Sequence, residues 1–149
     1  MFRHIAKWPV LLAALLLTGG IQSAFAEEKP FAEKKIVLQI SDPNPFKQTL
    51  VLNVANNLLR EYGTEGVEIE IVAFGPGLRL LFADNANKSR IQGLNASGVE
   101  FRGCSNTKRN MAKKLGYTPE INPIAKVEGP GVVRIVELVT EKGYTLVKP

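Results

Sequence analysis

Val67-Glu68-Ile69-Glu70-Ile71-Val72-Ala73-Phe74-Gly75-Pro76-Gly77 decides the fold. Apolar and acidic residues alternate at first, and the run then turns wholly apolar before a sharp Gly-Pro-Gly turn. That is a strand entering a core. Upstream, Lys35-Ile36-Val37-Leu38-Gln39-Ile40 is almost continuously apolar, the pattern of a strand buried on both faces. Between them, Asp42-Pro43-Asn44-Pro45 marks a turn and the start of a helix. Val51, Val54, Ala55, Leu58, Leu59 and Tyr62 follow at helical spacing, and Gly63 stops the helix.

Downstream the alternation continues. Leu78, Leu80, Leu81 and Phe82 form a short apolar turn or helix, and the spacing of Ile91 and Leu94 predicts a helix over Asn87 to Ser97. Val99-Glu100-Phe101-Arg102-Gly103 reads as a third strand ending at Cys104. Ser105 or Asn106 is expected to cap a helix running to about Leu115, with Gly116 as its stop. Tyr117 to Lys126 reads as irregular. Gly131 opens a last helix with Val132, Ile135, Val136 and Val139 on one face, and Tyr144 to Val147 closes the chain as a strand. Strands alternating with helices predict one α/β domain over residues 35–149: a single, mostly parallel sheet with helices on both faces.

The N-terminus has a different character. Arg3, His4 and Lys7 precede the apolar Val10–Leu17 stretch, and Ala24-Phe25-Ala26 places small residues where a signal peptidase reads. The apolar run falls short of the roughly 20 residues of a spanning helix. These features predict a signal peptide over residues 1–26, cleavage after Ala26, a flexible leader over 27–34 and a periplasmic or secreted protein with no membrane anchor.

Cleavage narrows the chemistry. The sole histidine, His4, leaves with the signal, which excludes catalysis by a Cys-His or Ser-His pair and removes the commonest transition-metal ligand. Arg3 and Lys7 leave and no acid does, so 19 basic residues become 17 against 14 acids, a net charge of +3. With no dense basic run, nucleic acid is not an expected partner. No metal site and no cofactor motif is present. Gly75-Pro76-Gly77 lacks the spacing, lysine and Ser/Thr of a phosphate-binding loop. The glutamates show no spacing that would pair two of them.

One thiol remains, and with a single cysteine no internal disulfide forms. In open α/β sheets working groups gather at the carboxyl ends of the strands. There Asp42–Pro45, Gly75–Gly77 and Gly103–Thr107 are expected to converge. Cys104 before a helix N-terminus, with Arg102, Lys108 and Arg109 nearby, fits a thiol with raised thiolate fraction. It equally fits a small buried hydrophobe. Gly75, Gly77 and Arg79, with Ser105, Asn106 and Thr107, are the candidate binding residues around it; Arg79 also reads as a solvated side chain.

Three segments together resemble a known family: Asn53-x-x-Asn56-Asn57-Leu58-Leu59 with Tyr62-Gly63; Val72-Ala73-Phe74-Gly75-Pro76-Gly77-Leu78; and Gly98-Val99-Glu100-Phe101-x-x-Cys104-x-Asn106-Thr107. With the ending from Gly131-Val132-Val133 to Lys148-Pro149, the chain resembles the DsrE/DsrF-like sulfur-relay proteins. The resemblance implies a five-stranded flavodoxin-like domain, homo-oligomers (trimers or hexamers), and a cysteine that passes sulfur as a persulfide between a donor and an acceptor protein. Here only Cys104 can take that role. The alternatives are a non-catalytic oligomeric ligand-binding or scaffold module with a structural cysteine, and a thiol oxidised as a redox sensor. Leu78 to Phe82 is a candidate subunit interface, or packs on its own sheet.

Overall fold

The computed structural model describes residues 29–149; the segment expected to be a signal peptide, its expected cleavage point and residues 27–28 lie outside them. The elements are β1 (Lys34–Ile40), α1 (Pro45–Gly66), β2 (Val67–Ala73), a 3-10 segment (Gly75–Leu81), α2 (Lys88–Ala96), β3 (Val99–Gly103), α3 (Ser105–Leu115), β4 (Lys126–Val127), α4 (Gly131–Thr140) and β5 (Thr145–Val147). The five strands form one sheet in the order β4-β3-β2-β1-β5, every pairing parallel. The layers are those of a flavodoxin-like domain, wound 5-1-2-3-4 instead of flavodoxin's own 2-1-3-4-5.

Strand alternation divides the sheet into two unlike faces. Leu38 and Ile40, Val67, Ile69, Ile71 and Ala73, and Val99 and Phe101 point to the main core. Val51, Leu52 and Ala55 of α1 and Ile91 and Leu94 of α2 close over them. The 3-10 segment joins this core: Leu78, Leu80 and Leu81 are fully buried. These three leucines therefore pack on their own sheet, the second of the two readings for this segment, and offer no side chain to a partner subunit. Gly63 has φ 76° and interrupts α1 where a stop was expected.

The second face holds a smaller apolar cluster, Val37 and Val72 under Ile135 and Leu138 of α4. The sequence reading of α4 needs correction. Ile135 and Leu138 face the sheet, whereas Val132 and Val136 are 57% and 53% exposed and Val139 also points outward. Two contacts set this rotation. A Cβ at Gly131 would lie 3.2 Å from the Cβ atoms of both Cys104 and Phe74, so a side chain there would push the helix start back by a few tenths of an ångström. One turn later Arg134 binds Glu70 at 2.7 and 2.9 Å.

Two further differences have simple causes. β4 is two residues long and begins at Lys126, the last residue of the stretch read as irregular, too short to show a period. The segment read as a flexible leader is tied to the base of the sheet from Lys29 onward. Its backbone N–H donates to Glu68 Oε1 (3.0 Å), its ammonium to the carbonyls of Val67 (3.2 Å) and Thr64, and Glu33 N–H to Gly66 O (3.1 Å). No helix among the described residues is long and apolar enough to cross a membrane.

Candidate functional site around Cys104

Parallel register brings the three expected segments together. Ile40, Ala73 and Gly103 lie side by side as the last paired residues of β1, β2 and β3, so the chains leaving them share one edge. Gly77 N–H donates to Ser41 O at 3.1 Å, and Cys104 N–H to Ala73 O at 3.0 Å. Asn44 caps α1 through its side chain, and Asp42 in turn accepts from Asn44 N–H.

Cys104 itself is the N-cap of α3, not Ser105 or Asn106. Its Sγ accepts the Thr107 N–H at 3.4 Å, closing the first turn as an Asp or Ser oxygen would. The residue is only 6% exposed. Burial is the largest single influence on the thiol and pushes its pKa up. The Thr107 hydroxyl and the backbone N–H groups of Gly131, Thr107 and Asn106 together outweigh it, and the pKa ends below the ordinary value of 9.0. The sulfur thus lies between two helix N-termini, those of α3 and α4, whose donors stabilise its anion.

The expected neighbours sort differently. Thr107 is central: its Oγ accepts the Gly75 N–H at 2.9 Å and its hydroxyl is hydrogen-bonded to the sulfur. Ser105 is not part of the anion-binding set, since its N–H and hydroxyl both donate to Gly129 O at 3.0 Å. The Asn106 side chain accepts from Arg109. Gly77 is buried against the end of β1, where a Cβ would fall 2.5 Å from Ile40 O. Its place is structural. Arg102 directs its guanidinium to Glu70 and Glu128, so the thiol is stabilised by hydrogen-bond donors and not by the basic side chains nearby in sequence.

Two clefts flank this edge. One, of about 330 Å³, runs between the 3-10 segment and α3, lined by Gly75, Pro76 and Arg79 on one side and Thr107, Met111 and Lys114 on the other. The second, of about 320 Å³, lies beside the start of α4 among Arg102, Glu128, Gly129, Pro130, Arg134 and Glu137. Nothing in the spacing of residues points to the second, whose walls, Arg102 of β3 and the Glu128–Glu137 segment, meet only through the packing of α4 on the sheet.

The architecture is shared with a solved archaeal protein. The structure of a protein of unknown function from Methanobacterium thermoautotrophicum aligns at TM-score 0.69 with 27% identity, over 78% of this chain and all of that one. No family model and no curated protein matches the chain.

The second sheet face carries what sequence spacing missed. Glu70 and Glu100 are register partners on β2 and β3, so carboxylates that looked unrelated are neighbours. Each is neutralised. Glu70, 2% exposed, receives Arg102 at 3.0 Å and Arg134 on both oxygens. Glu68 accepts from Tyr144 Oη at 2.7 Å and pairs with Lys35 at 3.5 Å; Glu100 pairs with Lys126 at 3.7 Å. Burial, then the bond to Glu68, raises the Tyr144 pKa, and the bond to Glu70 raises that of Arg134. With both Glu70 oxygens taken up by guanidinium donors, this network clamps α4 to the sheet. Among the described residues no group of three or more His, Cys, Asp or Glu side chains is arranged to hold a metal ion.

Proposed function

We propose that this protein is an exported, DsrE/DsrF-like carrier that holds sulfane sulfur as a persulfide on Cys104. The observation that carries the reading is the double helix start around the sulfur, with four hydrogen-bond donors favouring an anion in a buried place. A persulfide is a more acidic group than a thiol, and the same donors suit its terminal sulfur. The thiolate attacks the outer sulfur of a persulfide or polysulfide donor; one S–S bond forms as another breaks, and the donor leaves as the shortened thiolate. A partner thiol then removes the sulfur by the same exchange. The test is to incubate the mature protein with polysulfide and read sulfur addition by intact mass, with Cys104→Ser as control. Sulfur gained only with Cys104 present supports the carrier; none gained by the native protein overturns it.

The export signal over residues 1–26 makes the periplasm the site of action in this reading, and N-terminal sequencing of the exported chain should begin at Glu27. The outward valines of α4 supply the surface for a homo-oligomer, the trimer or hexamer that the resemblance implies. Light scattering should give a multiple of the chain mass that falls to the monomer in Val136→Lys; a monomeric wild type would refute it. The second reading, a binding or scaffold module with a structural cysteine, is favoured by the 6% exposure of Cys104.

A further inference from the structure

The two clefts beside Cys104 are of similar volume, but one is charge-balanced and the other cationic. In the cleft beside α4 every cation is answered: Arg134 binds Glu70 and lies 3.6 Å from Glu137, and Arg102 binds Glu70 and Glu128. In the cleft between the 3-10 segment and α3, the side chains of Arg79 and Lys114 have no hydrogen bond or ion pair with any described residue. The whole of α3, Ser105 to Leu115, holds Lys108, Arg109, Lys113 and Lys114 and no acid. Pro76, Met111 and Leu115 give the same cleft an apolar wall. At about 330 Å³ it has the size of a small-molecule site. Thr107 belongs to both places, lining the cleft while its hydroxyl holds the Cys104 sulfur.

We infer that this cleft is the site through which a small organic anion with an apolar body reaches Cys104, its negative end held by Arg79 and Lys114. The inference rests on the persulfide reading and names the substrate class: a low-molecular-weight persulfide carrying a carboxylate, in preference to a neutral donor. Bound there, the donor lies against Thr107, one hydrogen bond from the sulfur. The Cys104 thiolate attacks the outer sulfur, the donor's S–S bond breaks, the proton stays on the transferred sulfur, and the donor departs as a thiolate with the electron pair. No oxidant is consumed.

The test compares alkylation of native Cys104 by iodoacetate, an anion, and iodoacetamide, its neutral counterpart. Their rate ratio cancels any shared change in thiolate fraction. Arg79→Gln/Lys114→Gln is expected to lower the iodoacetate-to-iodoacetamide ratio about tenfold at low salt, through two lost charge contacts. Lys47→Gln/Lys113→Gln, with the same net charge, is expected to leave the ratio unchanged. An unchanged ratio in the first variant, an equal fall in both, or native Cys104 inert to both reagents would each overturn the inference. Sulfur uptake from polysulfide is a separate readout: uptake with an unchanged ratio keeps the carrier and removes this site, and a lost ratio without uptake does the reverse.

Discussion

Gly77→Ala and Gly93→Ala are the same substitution with opposite expected outcomes. A methyl group at Gly77 would lie 2.5 Å from Ile40 O, 2.7 Å from Ile40 C and 2.7 Å from Ser41 Cα, where ordinary contact begins at 3.4 Å. Something must move by close to 1 Å, and all three atoms are backbone at the end of β1. That strand pairs with β2 on one side and β5 on the other, so it cannot give way alone. Overpacking of this kind costs about 1–3 kcal/mol, and rigid backbone on every side places Gly77→Ala at about 3 kcal/mol, a large share of a typical domain's stability. Gly93, inside α2, has nothing within 4 Å of its notional Cβ, so alanine there is expected to add about 0.5–1 kcal/mol by helix propensity. Urea unfolding of residues 27–149, followed by far-ultraviolet dichroism, measures both. A loss below about 0.5 kcal/mol at Gly77, or a loss at Gly93, would refute the reasoning. The result also bears on the site: a Gly77 that only packs should leave the alkylation rate of folded Cys104 unchanged.

Thr107→Val removes the hydroxyl that accepts from Gly75 and bonds the sulfur. The Cys104 pKa should move up towards 9.0, seen as a higher midpoint of thiolate absorbance and of the pH dependence of iodoacetamide alkylation; an unmoved midpoint would mean the helix donors alone suffice. Because the folded pKa lies below the unfolded one, the thiolate's contribution to stability is present above the unfolded pKa and is lost as pH falls through the folded value. Thr107→Val should flatten that part of the stability curve. Glu70→Gln removes the buried carboxylate shared by two guanidiniums, leaving Arg102 with Glu100 and Glu128 and Arg134 with Glu137 at the more exposed rim; it should cost about 3 kcal/mol in urea unfolding, whereas a loss under about 1 kcal/mol would show the network to be dispensable.

The sequence by itself determined the layout: where strands and helices alternate, that Gly63 breaks the regular course of α1 and Gly116 ends α3, and that β1, β2 and β3 deliver Asp42, Gly75 and Cys104 to one edge. These follow from local periodicity and from backbone angles that glycine alone adopts freely, both readable along the chain. Only the tertiary structure decided which side of α4 faces the sheet, because that depends on Gly131 meeting Cys104 and on Arg134 meeting Glu70, 64 residues apart. It also decided that Leu78, Leu80 and Leu81 lie inside, that Glu70 and Glu100 are neighbours, and that the sulfur has a second helix start beside it. Each is a product of register and layer packing between distant segments. A sequence states which side chains exist; the pairing of β2 with β3 and the seat of α4 settle which of them share a charge, a cleft or a hydrogen bond.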